Sequence, residues 1–464
     1  MNILINNIKC GSIHFTGIFG SGMSAIAQYL AQTGVNISGS DRSNDAPDSL
    51  NVKNSLLSCG CAIFPQDGSG VGKGTDTVCV STAIEESNPD IAAAHGLGIP
   101  VLHRSDVLAA IVKEKKSIAV AGTSGKSTVT AMIFELLTAC GMSPSLISGA
   151  ALRSLEEKGA LGNAFRGESD LLVIEADESD GTLVKYHPYA SVILNLSKDH
   201  KPEDEVRLMF KQLAEQSKWS AANADDVKLA GLPVSTTFGF DAAASFRATG
   251  AKFEALSSAI TVGGTEYKLP LPGAHNAANL LAALCVCKYL GCDDKRLADA
   301  CANYKGVDRR FTIRRAASGV TVIDDFAHNP EKIRAAVSAA KNLSDNLTII
   351  YQPHGFGPTR FLKNEYAETF KTILRPTDTL CLLPIYYAGG SAVKDISSQD
   401  IINLMGETPF KATAVNGRDE AIDIIKQHAR IGSGVLLMGA RDPSLSSFAK
   451  RIVEVLGGEQ GGHA

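Results

Sequence analysis

Ser117-Ile-Ala-Val-Ala-Gly-Thr-Ser-Gly-Lys-Ser-Thr128 is the stretch whose reading decides the fold. A short apolar run enters a glycine turn, a lysine follows, and a hydroxyl residue opens a helical pattern that continues from about Ser127 to Cys140. An apolar run of this length bounded by turn residues reads as a buried parallel strand. Gly122 and Gly125 let the backbone turn its N–H groups toward phosphate oxygens, and the helix aims its positive N-terminal end at the same anion. Gly122, Thr123, Ser124, Gly125, Lys126, Ser127 and Thr128 are therefore the candidate cradle of a nucleoside triphosphate. Lys126 is placed to reach the β- and γ-phosphates, and Ser127 to ligate Mg²⁺. Val120 stands where the general phosphate-loop pattern has glycine, so this loop is a variant.

Working outward, the N-terminal segment restarts the same βα rhythm. A strand at Ile13–Thr16 turns at Gly17-Ile-Phe-Gly-Ser-Gly22, a helix runs from Met23 to about Gln32, and a strand at 35–40 ends on Asp41. Glycines at the turn and an acid after the second strand make a Rossmann-like start, although the spacing is Gly-x-x-Gly-x-Gly. Downstream of the phosphate loop, Leu171-Leu-Val-Ile174 reads as a buried strand that delivers Glu175 at its C-terminal end, and Ser191–Asn195 as a second one. Ligands of doubly wound sheets sit at such ends. The charged run Lys113-Glu-Lys-Lys116 reads as a solvated linker, and an alanine-rich helix opens after Pro270-Leu-Pro-Gly273 and continues to about Leu290. The last third reads as another doubly wound unit, with strands near 321–324, 347–351, 379–383 and 434–438.

Composition bounds the rest. A chain of 464 residues exceeds what one core usually holds, so about three domains are expected. A formal charge of −4 argues against a nucleic-acid footprint. No apolar run reaches the roughly 20 residues needed to span a bilayer, and the N-terminus lacks a secretory pattern, so a cytoplasmic protein without a membrane span is expected. The ten cysteines are spread through a long chain, and Cys59/Cys61 and Cys285/Cys287 lack zinc-ribbon spacing. They are read as reduced thiols, mostly in the core.

The loop variant Gly-Thr-x-Gly-Lys-Ser resembles that of the Mur ligase superfamily, and four further segments agree in order across the chain. They are Glu175-Ala-Asp-Glu-Ser-Asp180, Asn195-Leu-Ser-Lys-Asp-His200, Pro272-Gly-Ala-His-Asn-Ala-Ala-Asn279 and Asp324-Asp-Phe-Ala-His-Asn-Pro330. The resemblance implies an α/β protein of three domains: a Rossmann-like UDP-sugar-binding domain at 1–112, a central ATP-binding parallel-sheet domain at 113–312, and a Rossmann-like amino-acid-binding domain at 313–464. It implies an enzyme in which ATP phosphorylates a substrate carboxylate and an amine attacks the acyl phosphate to form an amide.

What the resemblance implies can be followed residue by residue. Gly17, Gly20, Ser21, Gly22, Met23, Ser24, Asp41, Ser81, Thr82 and Ala83 would hold the UDP-sugar, with Phe19 standing where the alanine-adding branch has glycine. A Rossmann domain that no longer binds a nucleotide is the alternative at this end. Glu175 and Ser127 would hold one Mg²⁺, and His200 a second that bridges the γ-phosphate and the acceptor carboxylate. His275, Asn276 and Asn279 would lie against adenine, or Asn276 would serve only as a helix cap. Arg310 would meet the γ-phosphate and Asp325 the ATP ribose, with His328 facing the reaction centre. Lys126, Glu175, His200, Arg310 and His328 form the expected catalytic set.

The amino-acid site departs most from the pattern. His354 and Arg360 are retained, but Gly355 and Pro358 replace two arginines of the alanine-adding motif, and Met438-Gly-Ala-Arg-Asp-Pro-Ser-Leu-Ser-Ser-Phe448 is closer to a D-glutamate-adding relative. His354, Arg360, Arg441 and Ser447 are the candidate acceptor-binding residues. The expected reaction joins a UDP-N-acetylmuramate-type carboxylate to a small amino acid, L-alanine first, in a monomer or homodimer. A murein-tripeptide ligase of wall recycling, which takes a short peptide as amine, and a non-catalytic nucleotide-binding subunit remain the alternatives.

Overall fold

A computed structural model describes residues 2–179, 181–197, 201–387, 393–442 and 444–459, with the side chain of Asp48 left aside. The chain divides into two compact units, Met1–Val307 and Asp308–Ala464.

The first unit contains two large sheets. Five parallel strands run in the order Ala62–Phe64, Asn36–Ser40, Ser12–Thr16, Thr77–Val80, Val101–His103. After a two-stranded hairpin at Ile3–Ile5 and Ile8–Cys10, the chain enters this sheet at its middle strand and winds outward in both directions, so a switch point lies beside the glycine turn that follows Thr16. In the second sheet the order is Ala164–Phe165, Ser145–Ile147, Leu171–Glu175, Lys116–Ala121, Ala190–Ile193, Trp219–Asn223, Thr236–Gly239, Phe246–Phe253, Ser258–Val262, Thr265–Leu269. Its central strands are parallel, and an antiparallel meander from 246 to 269 closes one edge. Ser117 to Ala121 are all buried, as a strand flanked by parallel neighbours and covered on both faces must be.

Register positions the chemistry. Glu175 pairs with Val120 and Ile193 with Ala121, so the strands ending at Glu175 and leading to Asn195 flank the strand that feeds the phosphate loop. The run Lys113–Lys116 is not a linker: the helix Arg104–Glu114 extends through its first half, and the next strand begins at Lys116. Val107, Leu108, Ile111 and Val112 bury one face of that helix, and this packing carries it past the point where charge alone suggests an end.

In the second unit a six-stranded sheet has the order Thr312–Arg315, Thr321–Asp325, Gly434–Gly439, Leu347–Gln352, Thr379–Leu382, Lys411–Ala414. All neighbours are parallel except the first pair. The two edge strands were not expected from sequence, because each is short and carries polar residues on a half-exposed surface. All ten cysteines are free thiols, eight of them buried. Among the described residues no helix is long and apolar enough to cross a membrane.

Candidate functional site

The loop after Ala121 takes a shape that only glycine fits. Gly122 has φ +145° and Gly125 has φ +86°, and a Cβ on either would stand 2.9 Å from Leu194 Cβ or 2.6 Å from Asn279 Oδ1. Gly125 immediately precedes the helix Lys126–Ala139, so the loop ends on the helix's unsatisfied N–H groups. Asn195 braces the loop from the neighbouring strand. Its Oδ1 accepts from Ser124 N at 2.8 Å and from Thr123 Oγ1 at 2.9 Å, and its Nδ2 donates to Ser124 O at 3.0 Å. Ser197 N donates to the same Thr123 hydroxyl at 2.9 Å. Ser127 and Thr128 begin the helix and are buried.

Lys126 does not extend into open space. Its Nζ donates to Gly122 O at 2.8 Å and to Glu178 Oε2 at 2.6 Å, and Asp177 Oδ1 lies 3.7 Å away. Burial would lower the lysine's pKa, but Glu178 and Asp177 outweigh it and hold the ammonium charged. Burial likewise works against charge on both carboxylates. Lys126 overcomes it at Asp177, whose pKa is lowered, whereas Glu178, almost fully enclosed, stays raised. Both partners of the 2.6 Å contact thus shift upward, which favours charge on the lysine and disfavours it on Glu178; the lysine's charge is the firmer, because two acids share it. Glu175, at the end of its strand, is oriented by Ser148 Oγ at 2.6 Å and Gly149 N at 3.0 Å, both bonding Oε1. The sequence reading named Glu175 but gave no role to Asp177 or Glu178, although all three stand in one Glu-Ala-Asp-Glu cluster.

The loop and its acids suit a magnesium nucleotide. Among the described residues no three His, Cys, Asp or Glu side chains converge on a metal position. Mg²⁺ usually takes only one or two protein ligands and completes its shell with substrate phosphates and water. His200 lies outside the described residues, as do Asp199 and Asp180. Of the adenine candidates, Asn279 touches the phosphate loop at Gly125, and His275 is exposed with its ring against Gly273. Asn276 is buried and donates through Nδ2 to Pro272 O at 2.8 Å, so its amide ties down the turn that starts the helix Ala274–Tyr289.

At the N-terminal turn, Gly17 N and Ile18 N donate to Ser40 O at 2.8 and 3.0 Å. Phe19 is turned so that its side chain packs against the core, and its N–H donates to Asp41 Oδ2 at 3.0 Å. The other oxygen of Asp41 accepts from Ser43 N and Oγ at 2.9 and 2.7 Å, so this carboxylate organises two backbone turns. Gly20 and Ser21 are exposed, whereas Met23 and Ser24 are buried, and Asn163 Nδ2 bonds Ser21 O and Ser24 Oγ at 2.9 and 3.0 Å. The turn carrying Ser81, Thr82 and Ala83 follows the neighbouring strand and sets Ile84 3.0 Å from where a Gly17 Cβ would be. Sequence reasoning missed Arg104, whose Nη1 lies 2.7 Å from the Cβ position of Gly22. It also missed why Asn88-Pro-Asp90 stands where it does. Asn88 caps a helix, and Asp90, fully buried, accepts from His14 at 3.3 Å, Thr16 at 3.1 Å, Gly68 N at 3.0 Å and Ser40 Oγ. Burial pulls the Asp90 pKa up, but those hydrogen bonds prevail and hold it below its ordinary value.

A cavity of about 360 Å³ opens among Tyr29, Lys115, Ser145 and Arg166, at the opposite ends of these strands, and holds no phosphate-loop residue.

In the second unit the remaining candidates gather around the loop 325–330. Asp325 accepts Phe311 N and Ala327 N, each at 2.8 Å. Arg310 lays its guanidinium 4.8 Å above the Phe326 ring. Neighbouring Arg309 is buried, has φ +55°, and bonds Asp324 at 3.2 Å and Gly439 O at 2.7 Å, anchoring the segment by its side chain. His328 Nδ1 meets Phe326 O at 2.9 Å, its carbonyl accepts from Tyr366 at 2.8 Å, and its ring stands edge-on to His354 at 5.5 Å. Burial, reinforced by Lys332, holds its pKa well below the ordinary histidine value, which makes it a neutral imidazole at pH 7. Arg360, on the helix Phe356–Ile373, donates to Asp395 and to Val393 O at 3.0 Å. Arg441, with φ +69°, and Ser447 are exposed. Arg418, not singled out in the sequence, bonds Asp442 and Ser444 at 2.9 and 2.6 Å.

Three family models match this chain in succession. They are the Mur ligase family catalytic domain at 12–116, the Mur ligase middle domain at 120–287, and the Mur ligase glutamate ligase domain at 309–441. A UDP-N-acetylmuramate--L-alanine ligase of Paenarthrobacter aurescens (strain TC1) is 35% identical, over 97% of this chain and 98% of its own. Another so named, of Agathobacter rectalis, is 33% identical over 92% and 95%. The solved UDP-N-acetylmuramate-alanine ligase of Thermotoga maritima superposes with a TM-score of 0.80 at 27% identity, covering 96% of this chain and 98% of that one. A murein peptide ligase from Psychrobacter arcticus 273-4, 20% identical with a TM-score of 0.70 over 98% and 99% of the two chains, shares the fold.

Proposed function

The chain belongs to the Mur ligase family, and on that premise we propose that it is an ATP-dependent ligase joining the carboxylate of UDP-N-acetylmuramate to L-alanine in peptidoglycan precursor synthesis. One observation carries the geometric side of this reading. The loop Gly122–Thr128 sits at the carboxyl edge of a parallel sheet, between the strands that end at Glu175 and lead to Asn195, with a charged lysine among acids. A triphosphate fits such a loop, and near-full-length similarity to alanine-adding relatives supplies the substrates.

In the proposed reaction an oxygen of the substrate carboxylate attacks the γ-phosphorus and ADP departs, leaving an acyl phosphate. The amine then attacks the acyl carbon, loses a proton, and inorganic phosphate departs. Loop N–H groups and Lys126 hold the transferring phosphoryl group and offset its charge. Ser127, Glu175 and His200 are the proposed ligands of Mg²⁺, two ions in all, and the metal supplies charge neutralisation between triphosphate and carboxylate. His275, Asn276 and Asn279 are assigned to adenine. The residues Gly17, Gly20, Ser21, Gly22, Met23, Ser24, Asp41, Ser81, Thr82 and Ala83 are assigned to the UDP-sugar. To the second unit the proposal assigns Arg310 and His328 as catalytic residues, Asp325 as the ribose ligand, and His354, Arg360, Arg441 and Ser447 as the acceptor site. We place domain boundaries at 112/113 and 312/313, and the protein in the cytoplasm as a monomer or homodimer.

The test is a product screen by mass spectrometry with UDP-N-acetylmuramate, ATP and a panel of amino acids and wall peptides. A product one alanine residue heavier than the sugar nucleotide is expected. No adduct with any amine would refute the ligase reading, and an adduct formed only with a tripeptide would reassign the acceptor.

A further inference from the structure

One face of the five-stranded sheet is polar where a doubly wound fold calls for core. His14 and Thr16 alternate along one strand and Ser38 and Ser40 along its parallel neighbour, and the register sets His14 beside Ser38 and Thr16 beside Ser40. Alternation puts all four on the same side of the sheet. On the other side Ile13, Phe15 and Ile37 join the hydrophobic core, as a sheet covered on both faces requires. His14, Thr16 and Ser40 are nonetheless fully buried.

A single carboxylate gathers them. Asp90, in the first turn of the helix Pro89–Leu97, accepts at Oδ2 from Thr16 Oγ1 at 3.1 Å, His14 Nε2 at 3.3 Å and Ser40 Oγ, and at Oδ1 from Gly68 N at 3.0 Å. The other ring nitrogen of His14 meets Ser38 Oγ at 2.9 Å. The loop carrying Gly68 and Gly70 closes over the cluster, so near that a Cβ on Gly70 would stand 2.6 Å from His14 Cε1. Polar groups taken from water are costly unless partnered, and a fully partnered buried network is rigid.

This network ends at the glycine turn. Thr16 is the last residue before it, and Ser40 O receives Gly17 N and Ile18 N at 2.8 and 3.0 Å. Asp41, next along the chain, receives Phe19 N at 3.0 Å. Three successive N–H groups of the turn thus hang on Ser40 and Asp41, and Asp90 fixes the side chains of Thr16 and Ser40 on either side of it.

We propose that Asp90 is a positioning residue for the sugar-nucleotide site, holding through the hydroxyls of Thr16 and Ser40 the two strand ends that shape the turn 17–22. The inference rests on the assignment of UDP-N-acetylmuramate to that turn. Asp90 is fully buried and acts on the ligand only through the turn. A turn already in shape needs no ordering when its ligand arrives, so loosening it weakens that one substrate and spares the ATP loop, which belongs to a different sheet.

The experiment measures the Kd for UDP-N-acetylmuramate by titration calorimetry, together with KM for ATP, on full-length variants first shown to be folded. Thr16→Val keeps the shape and removes the hydroxyl, and should raise that Kd about tenfold, the size of one hydrogen bond to a charged group, with KM for ATP unchanged. Thr16→Ser restores the hydroxyl and should restore the affinity. Asp90→Asn should weaken binding at least as much as Thr16→Val. Gly20→Asp tests the underlying assignment: Gly20 is exposed at φ −57°, its Cβ would come no nearer than 3.4 Å to Gly17 O, and aspartate suits a helix N-cap, so the variant should fold yet set a negative charge against a bound phosphate. Normal affinity in Thr16→Val and Asp90→Asn, with affinity lost in Gly20→Asp, would overturn the positioning role and leave the site where it is. Normal affinity in Gly20→Asp would remove the sugar nucleotide from this turn, and the proposal with it. Equal weakening of ATP and sugar nucleotide in Thr16→Val, or no recovery in Thr16→Ser, would also overturn it.

Discussion

Glu178→Gln should make the protein bind ATP more tightly. In the structure Lys126 Nζ donates to Glu178 Oε2 at 2.6 Å, with the two side chains only 15% and 4% exposed. A hydrogen bond between charged groups contributes about 1.5–3 kcal/mol, and deleting one partner of a buried pair costs about 3–5 kcal/mol when the survivor is left alone. Lys126 would not be alone, since Gly122 O at 2.8 Å and Asp177 at 3.7 Å remain. The lower range, about 1.5–3 kcal/mol, therefore applies to the nucleotide-free protein. A triphosphate that recruits Lys126 must take it from Glu178, so the same free energy opposes ATP binding in the natural protein. Glutamine keeps the shape and removes the charge. At about 1.4 kcal/mol per tenfold, the Kd for ATP should fall roughly 10- to 100-fold while the thermal midpoint also falls. Titration calorimetry with a non-hydrolysable ATP analogue, on protein first shown to be folded, measures the affinity. Unchanged or weaker binding would refute the argument and mean that Lys126 keeps Glu178 as its partner when nucleotide is bound.

Four further outcomes are expected. Asn195→Ala removes three hydrogen bonds to Thr123 and Ser124, and should raise KM for ATP severalfold and lower stability by about 1–3 kcal/mol; a normal KM would show that the loop holds its shape unaided. Gly125→Ala puts a Cβ 2.6 Å from Asn279 Oδ1 at φ +86°, so nucleotide binding should be lost in a protein that still folds, and retained binding would show that the loop adapts. His328 stays neutral when folded, whereas an unfolded histidine gains its proton near pH 6.5. Below about that pH the unfolded state binds more protons, so stability falls with pH by up to about 1.4 kcal/mol per unit. Denaturation across that range should be steeper for the natural protein than for His328→Gln, and equal slopes would contradict the burial argument. Arg360→Lys keeps the charge but loses the planar fork, so KM for the amine should rise about 10-fold or more with KM for ATP little changed; equal effects on both would deny it an acceptor role.

Much of this protein was legible in order along the chain. The apolar run 118–121 followed by Gly122, Gly125 and Lys126 determined a strand, a left-handed turn and a helix N-terminus, because glycine's freedom and short-range apolar pattern act within a dozen residues. The α/β character of both units followed from repeats of the same local signal, and the ends of the central strands fell within a residue or two of the expected positions. Short edge strands such as Lys411–Ala414 escaped, since a half-exposed polar strand carries almost no pattern of its own.

What side chains do with their charge was decided by segments distant in sequence. Lys126 looked like a group reaching for phosphate, but folding brings Glu178 and Asp177 to it. Asp41 and Asp325, proposed to meet ligands, each also accept backbone or hydroxyl donors on both oxygens, because a partly buried carboxylate near unsatisfied N–H groups gains more from them than from water. Phe19 looked like an obstruction among glycines until the first sheet offered it a core. The local pattern set where the chain turns. Burial and long-range pairing set which atoms are left to meet a substrate, and only the tertiary structure contains them.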